Sequence, residues 1–196
     1  MQMQKKTREE IKRACLKLLD ELPLSQVTVK AIVQECGINR NSFYYYFADV
    51  PALLEEIVMD DADKLISEYS DVGSLEECLA AATKFARENK RVVLHVYRSA
   101  RRDLFEQYLS RVCHDIIASY SAGVYESLPE GKAIAEDDKE LMIRYYQCEL
   151  FGQIILWLES DMKYDIQKQF SRLLELRNGF GMEMIHRSLQ SDESSK

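Results

Sequence analysis

The chain has 196 residues and a net charge of −7, with only seven glycines and three prolines. That length holds one large helical domain or a small domain joined to a larger one. No run approaches the ~18 apolar residues of a membrane span, and the opening MQMQKKTREE has no apolar export segment, so the expectation is a cytoplasmic protein that does not associate with membranes.

Scarce proline and glycine, and the lack of alternating β-branched residues, predict an all-α chain. The first helix is expected from about Lys6 to Leu22, with Ile11, Ala14, Cys15, Leu18 and Leu19 as its apolar stripe and Pro23 as its stop. Next comes TVKAIVQECGINRNSFYYYF, Thr28 to Phe47. Thr28 caps a short helix whose Val29, Ile32, Val33 and Cys36 share one face, Gly37 ends it in the left-handed conformation, and Asn39 caps a second helix. A turn this short sets two helices at a steep angle. Phe43 and Phe47 then face inward while Arg40, Asn41, Ser42, Tyr44 and Tyr45 face outward, which is a helix-turn-helix presenting a polar face to a DNA groove.

A fourth helix, capped by Asp49 with Pro51 in its first turn, carries Leu53, Leu54, Ile57 and Val58 and runs to about Tyr69. A break at Asp71 to Ser74 precedes a fifth helix, Leu75 to Glu88, and Asn89 is read as the cap of a sixth, RVVLHVYRSA. A long apolar stripe from Leu104 to about Leu128 ends at a PEGK turn, and Ala135 to Asp138 reads as an acidic linker. Two helices close the chain, Lys139 to about Glu159 and Asp165 to about Leu189, before a polar SDESSK tail. The domains expected are 1–47, a three-helix DNA-binding head, and 48–196, a larger helical domain for ligand binding and dimerisation, with the helix at about 49–69 connecting them.

Charge distribution supports the head. Residues 1–47 hold eight Lys or Arg against five Asp or Glu, +3, which leaves −10 on the remainder. A basic head on an acidic body offers one end to phosphate. Thr28 and Asn39 place donors and helix N-termini where phosphates bind, Lys30 adds a charge, and Arg40, Asn41 and Tyr45 are left to read bases: arginine on guanine, asparagine on adenine, a tyrosine ring on a thymine methyl.

The first helix, the motif and the capped fourth helix together resemble the TetR family of bacterial transcription regulators. Thr28, Ile32, Gly37, Phe43, Tyr44, Tyr46 and Phe47 fall on that family's motif, and Leu53 and Leu54 match the start of its connecting helix. Val33 and Cys36 replace its usual alanines, Asn41 its usual glycine, and Val50 a lysine that often contacts phosphate. The segment NKRVVLHVYRSARRDLFEQYL also resembles family members associated with dihydroxyacetone metabolism, and no ligand is carried over from them. The resemblance implies that Tyr44 and Tyr46 donate to backbone phosphates, and that the protein is a homodimer on a near-palindromic operator, most simply a repressor released by a small-molecule inducer. The alternative is a ligand- or protein-dependent co-activator or adapter that keeps the fold with weakened DNA binding.

A dimer would set two heads ~34–36 Å apart, or a multiple of that, on successive major grooves. Phe151, Gly152 and Ile155, in a stretch apolar almost all round, with Met182, Ile185 and Leu189 on the last helix, are its expected seam. Candidates for an effector site are His95, Tyr97, Arg98, Arg101, Tyr145, Tyr146, Glu149 and Trp157, Glu149 because a carboxylate in a nearly apolar stretch needs a partner. The histidines at 95, 114 and 186 are far apart, and neither paired cysteine ligands nor a glycine-rich phosphate loop occurs, so no enzyme, metal or cofactor is expected. The five cysteines, at 15, 36, 78, 113 and 148, sit in apolar stripes without CxxC spacing and read as core filler.

Overall fold

The computed structural model describes residues 2–69, 75–99, 102–128 and 134–193. The break at 71–74, the PEGK turn, the last three residues of the tail and Arg101 lie outside the described residues. Within them the regular structure is helical: α1 (Gln2–Glu21), a 3-10 turn (Leu24–Gln26), α2 (Val29–Cys36), α3 (Arg40–Tyr46), α4 (Val50–Tyr69), α5 (Leu75–Glu88), α6 (Lys90–Tyr97), α7 (Arg102–Glu126), α8 (Glu136–Glu159), α9 (Ile166–Leu176) and α10 (Phe180–Glu193). Contacts group the chain into two compact units, residues 1–61 with 89–105, and residues 62–88 with 106–196. The start of α4 and all of α6 therefore belong with α1 to α3.

In the first unit the apolar stripe of α1 is buried at Ile11, Ala14, Cys15 and Leu18, together with Ile32 and Val33 of α2, Phe43 of α3 and Leu53 and Leu54 of α4. Burial pushes the Cys15 thiol up to about 12, as it does that of Cys113 in the second unit. Both behave as small apolar groups. Cys148, by contrast, is exposed on α8 rather than buried.

The α1 stripe carries a charged rung. The Lys12 ammonium lies 2.8 Å from Glu56 and 2.5 Å from Asp60 on α4, and its side chain is only 10% exposed. One turn earlier Arg8 holds Glu56 through both guanidinium edge nitrogens, Nε at 2.7 Å, while its plane covers the Phe47 ring at 5.2 Å. Burial alone would lower the Lys12 pKa, but its hydrogen bonds to Asp60 and Glu56 outweigh burial and raise it. Burial would likewise raise the Glu56 pKa, and the bonds from Arg8 and Lys12 bring it down instead. On the other face of α1, Lys17 meets Glu35 of α2 at 2.6 Å.

Three expectations are corrected, two in the second unit and one at the start of α6. Glu136, Asp137 and Asp138 are the first turn of α8, where three carboxylates favour the positive end of the helix, and not a linker. The helix expected from Asp165 to Leu189 is two helices, because Asn178 and Gly179 interrupt it and Gly179 adopts φ 83. The side chain of Asn89 does not cap α6; its carbonyl accepts from Val92 and Val93 instead. The Asp165 cap is present, accepting from the Lys168 amide at 3.2 Å. Polar pins join the helices: Gln147 of α8 donates to the Ser110 carbonyl and hydroxyl of α7, Ser188 of α10 bonds Asp138, and Trp157 donates its indole N–H to the Tyr164 carbonyl at 3.0 Å.

Because Glu56 is held below its unfolded value, its stabilising effect is complete above the usual carboxylate range near 4.5 and disappears as pH falls through the lowered value. Lys12→Met is expected to cost about 1–2 kcal/mol at neutral pH, since it strands part of a half-buried carboxylate pair. In urea melts that difference from wild type should shrink toward zero as pH falls through the carboxylate range; a constant difference would assign the cost to packing alone.

Candidate nucleic-acid interface and effector cleft

The turn between α2 and α3 is built by its caps. Thr28 Oγ1 accepts from the Ala31 amide at 3.2 Å, and Asn39 Oδ1 accepts from the Ser42 amide at 2.8 Å. Between them Gly37 sits at φ 68, its amide donating to Gln34 and that of Ile38 to Val33, the paired bonds that close a helix with a left-handed residue. Each cap uses a side-chain acceptor and leaves a donor outward, the Thr28 hydroxyl hydrogen and the Asn39 amide group. Two helix N-termini thus offer donors and a positive dipole end to an anion.

α3 turns one face inward and one outward, as expected from its spacing. Phe43 is fully buried and Phe47 nearly so, with ring centroids 5.9 Å apart. Arg40, Asn41, Tyr44 and Tyr45 are exposed, Tyr45 to 70%, and Ser42 and Tyr46 are half-buried. Tyr44 packs edge-on against Phe43 at 5.6 Å and Tyr45 edge-on against Tyr46 at 4.9 Å, so the phenols are held by ring contacts at their bases. Thr28, Lys30 and Asn39 are also exposed. All nine residues expected to meet DNA lie within α2, α3 and their caps. Asp49 caps α4 by accepting from Ala52 at 2.7 Å, and Val50 opens that helix.

The second unit contains a cleft of about 540 Å³ walled by α5, α7, α8, α9 and α10. Of the expected effector residues, Glu149 and Tyr146 line it. Glu149 pairs with Arg177 at 2.8 Å, a partner 28 positions away that spacing along one helix could not have named. Tyr145 is exposed beside Tyr146 and Phe180. Trp157 is buried at the end of α8 and does not line the cleft. His95 and Tyr97 are on α6 and Arg98 is its C-terminal cap, all in the first unit, where Tyr97 is buried between the Phe105 ring and the Arg102 guanidinium at 4.4 Å. Sequence reasoning missed Tyr125, Ser121 and Arg177, and the Asn178-Gly179 pair, a strong turn signal, would have separated α9 from α10 and drawn attention to Arg177.

A further surface lies along α8. Leu141, Tyr145, Cys148 and Leu156 are exposed at steps of four, three and eight, with Gly152 and Ile155 half-buried on the same side, and Phe180 and Met182 are exposed on α10. Phe151 is half-buried. Ile185 is instead committed to an interior cluster with Ile134 and Met142, and Leu189 packs against it. Among the described residues no group of His, Cys, Asp and Glu could hold a metal ion, and no helix is long and apolar enough to cross a membrane.

Residues 11–57 match the family described as bacterial regulatory proteins, tetR family, and residues 73–179 match that described as transcriptional regulator C-terminal region. No curated protein sequence matches significantly. Among solved structures, the dihydroxyacetone kinase operon activator DhaS is similar with a TM-score of 0.63 at 20% identity, over 87% of this chain and 93% of that one. The fatty acid degradation regulator FadR from Bacillus halodurans is similar with a TM-score of 0.52 at 16% identity, over the same shares. At these identities the likeness is one of fold.

A Cβ added at Gly37 would meet nothing within 4 Å, so only backbone strain opposes a side chain there. Gly37→Ala should therefore destabilise the head by about 1–2 kcal/mol, whereas Asn39→Ala should cost about 1 kcal/mol through loss of the cap. Thermal melts of the two variants check both values, and a neutral Gly37→Ala would mean the turn is not left-handed in solution.

Proposed function

The chain belongs to the tetR family of bacterial regulatory proteins, and we propose that it is a homodimeric repressor that binds a near-palindromic operator and is released by a small-molecule effector. The observation that carries the DNA reading is the exposed face of α3, set between two capped helix N-termini on a fully buried Phe43. Thr28, Asn39, Tyr44 and Tyr46 present donors suited to phosphates, Lys30 adds a charge, and Ser42 sits half-buried between the two sets. Arg40, Asn41 and Tyr45 project where base edges would lie.

Dimerisation is supported by the exposed apolar stripe of α8. Leu141 and Leu156 are each 58% exposed, and Phe180 and Met182 extend the apolar surface on α10. Exposed apolar side chains aligned on one side of a helix favour association. Gly152, whose Cβ position is open, would admit a close neighbouring helix there.

The effector reading rests on the cleft in the second unit. α7 lines the cleft and, like α4, contributes residues to both units, which supports a coupling of effector to head through these helices. An effector that prefers one head arrangement and an operator that prefers another weaken each other's binding by the same factor. A second reading, an adapter with weakened DNA contacts, draws on Val50, which stands where a phosphate-contacting lysine is common in the family.

Selection of genomic fragments on the purified protein at near-physiological salt tests the first reading, with enrichment of a near-palindromic site as the expected result and salt-insensitive, unselective binding as the adapter result. On the selected site, Arg40→Ala should cost about 1–3 kcal/mol and relax one base position. Lys30→Ala should weaken all sequences alike and reduce the salt slope by about one per head. Leu156→Glu with Met182→Glu should yield monomers in sedimentation and lose the palindrome preference while the head remains folded.

A further inference from the structure

Charge divides more sharply between the two compact units than along the chain. Residues 1–61 hold eight Lys or Arg against ten Asp or Glu, −2, whereas residues 89–105 hold five against one, +4. The first unit is therefore +2 only because α6 and its flanks belong to it, and the second unit carries −9. Between Glu88 and Asp103 the sequence has no acid. Three cations of α1 are engaged inside the fold: Arg8 and Lys12 hold Glu56, Lys12 also holds Asp60, and Lys17 holds Glu35. The motif helices add Lys30 and Arg40, both exposed. Salt-sensitive binding to a duplex commonly neutralises about six to ten phosphates, more than Lys30 and Arg40 provide even from two heads.

α6 carries further positive charge on its surface. Its buried residues are Val93, Leu94, Val96 and Tyr97. Lys90, Arg91, His95 and Arg98 are exposed, and positions 91, 95 and 98 share one side at steps of four and three. Lys90, Arg91 and His95 form no ion pair with a described residue. Lys90 and Arg91 are also the first two residues of the helix, where the positive end of the helix dipole disfavours a cation. Helix stability does not account for their charge, and a polyanion outside the chain would.

Resting on the reading of this unit as the DNA-binding head, we propose that the exposed face of α6 is a second phosphate-contacting surface, on which Lys90 and Arg91 hold backbone phosphates of the duplex that α3 reads. A duplex is the favoured polyanion because α6 groups with the helices that carry the recognition face. A compact unit of about 80 residues is about 30 Å across, less than one helical turn of duplex, ~34 Å. Phosphates within one turn of the bases met by α3 thus fall within the span of the unit. Such contacts add affinity and salt dependence without sequence preference.

Fluorescence anisotropy of a labelled mixed-sequence duplex of about 40 base pairs, titrated with the full chain across a range of salt concentrations, tests this without an operator, because phosphate contacts carry no sequence. Lys90→Gln with Arg91→Gln should make the slope of log affinity against log salt shallower by about two per bound head, and weaken binding at low salt by about tenfold or more. Arg91→Lys, which keeps the charge, should keep the slope. Lys168→Gln with Arg172→Gln removes two exposed charges from α9 in the second unit and should also leave the slope unchanged. Circular dichroism checks that the variants are folded, and Arg91→Gln alone, with a change of about one, serves if the double substitution does not fold. A wild-type slope that the α6 substitutions leave unaltered would overturn the proposal alone and point to an acidic protein partner for this face. An equal change from the α9 substitutions would overturn it in favour of overall charge. A wild type that binds no duplex even at low salt would overturn it together with the DNA reading.

Discussion

A charged side chain held in a protein interior has to be matched, and the first unit is organised around that requirement at Lys12. Its position on the buried stripe of α1 obliges α4 to present Glu56 and Asp60 at the same level, and Arg8 completes the cluster while covering Phe47. Apolar packing of Ile11, Cys15, Leu53 and Leu54 holds the two helices together, and the ion pairs add direction to it. Directional bonds from two cations to Glu56, and from one to Asp60, fix the register. Phe47 ends α3, so the same cluster that locks α1 to α4 also sets where the exposed face of α3 points.

The head was legible because its signals are local. Thr28, Gly37, Asn39 and Asp49 each act on backbone groups within four residues of themselves, and Phe43 and Phe47 are one turn apart. Caps and a left-handed glycine carry their mechanism in the residue itself. The second unit was harder to read because its decisive relations are long-range. Glu149 was recognisable as a carboxylate in need of a partner, but the 28 positions to Arg177 are bridged only once α9 folds back on α8. The polar residues of α6 have the composition of a ligand site, yet that helix groups with the head, and the Tyr97 ring packs on Phe105 and Arg102.

The acidic run at 136–138 is locally ambiguous in a different way. Composition favours a solvated linker, and the same three carboxylates are also what a helix N-terminus attracts. Asp138 decides between the two, since it meets Ser188 of α10 and so must sit on an ordered turn. Asn178 and Gly179 are the converse: a turn signal inside a periodic apolar pattern, where the local conformation prevailed over the periodicity. That interruption places Arg177 at the end of α9, where its carbonyl receives the Phe180 amide and its side chain turns back toward α8.

Gly152 lies in the middle of the 24-residue helix α8 with open space where a Cβ would stand. A glycine there weakens its helix by about 1 kcal/mol relative to alanine. Among the described residues neither a close neighbour nor an unusual backbone angle accounts for it. The fold is thus locally less stable at this point than an alanine would leave it, a cost of the helix interior and not of any turn.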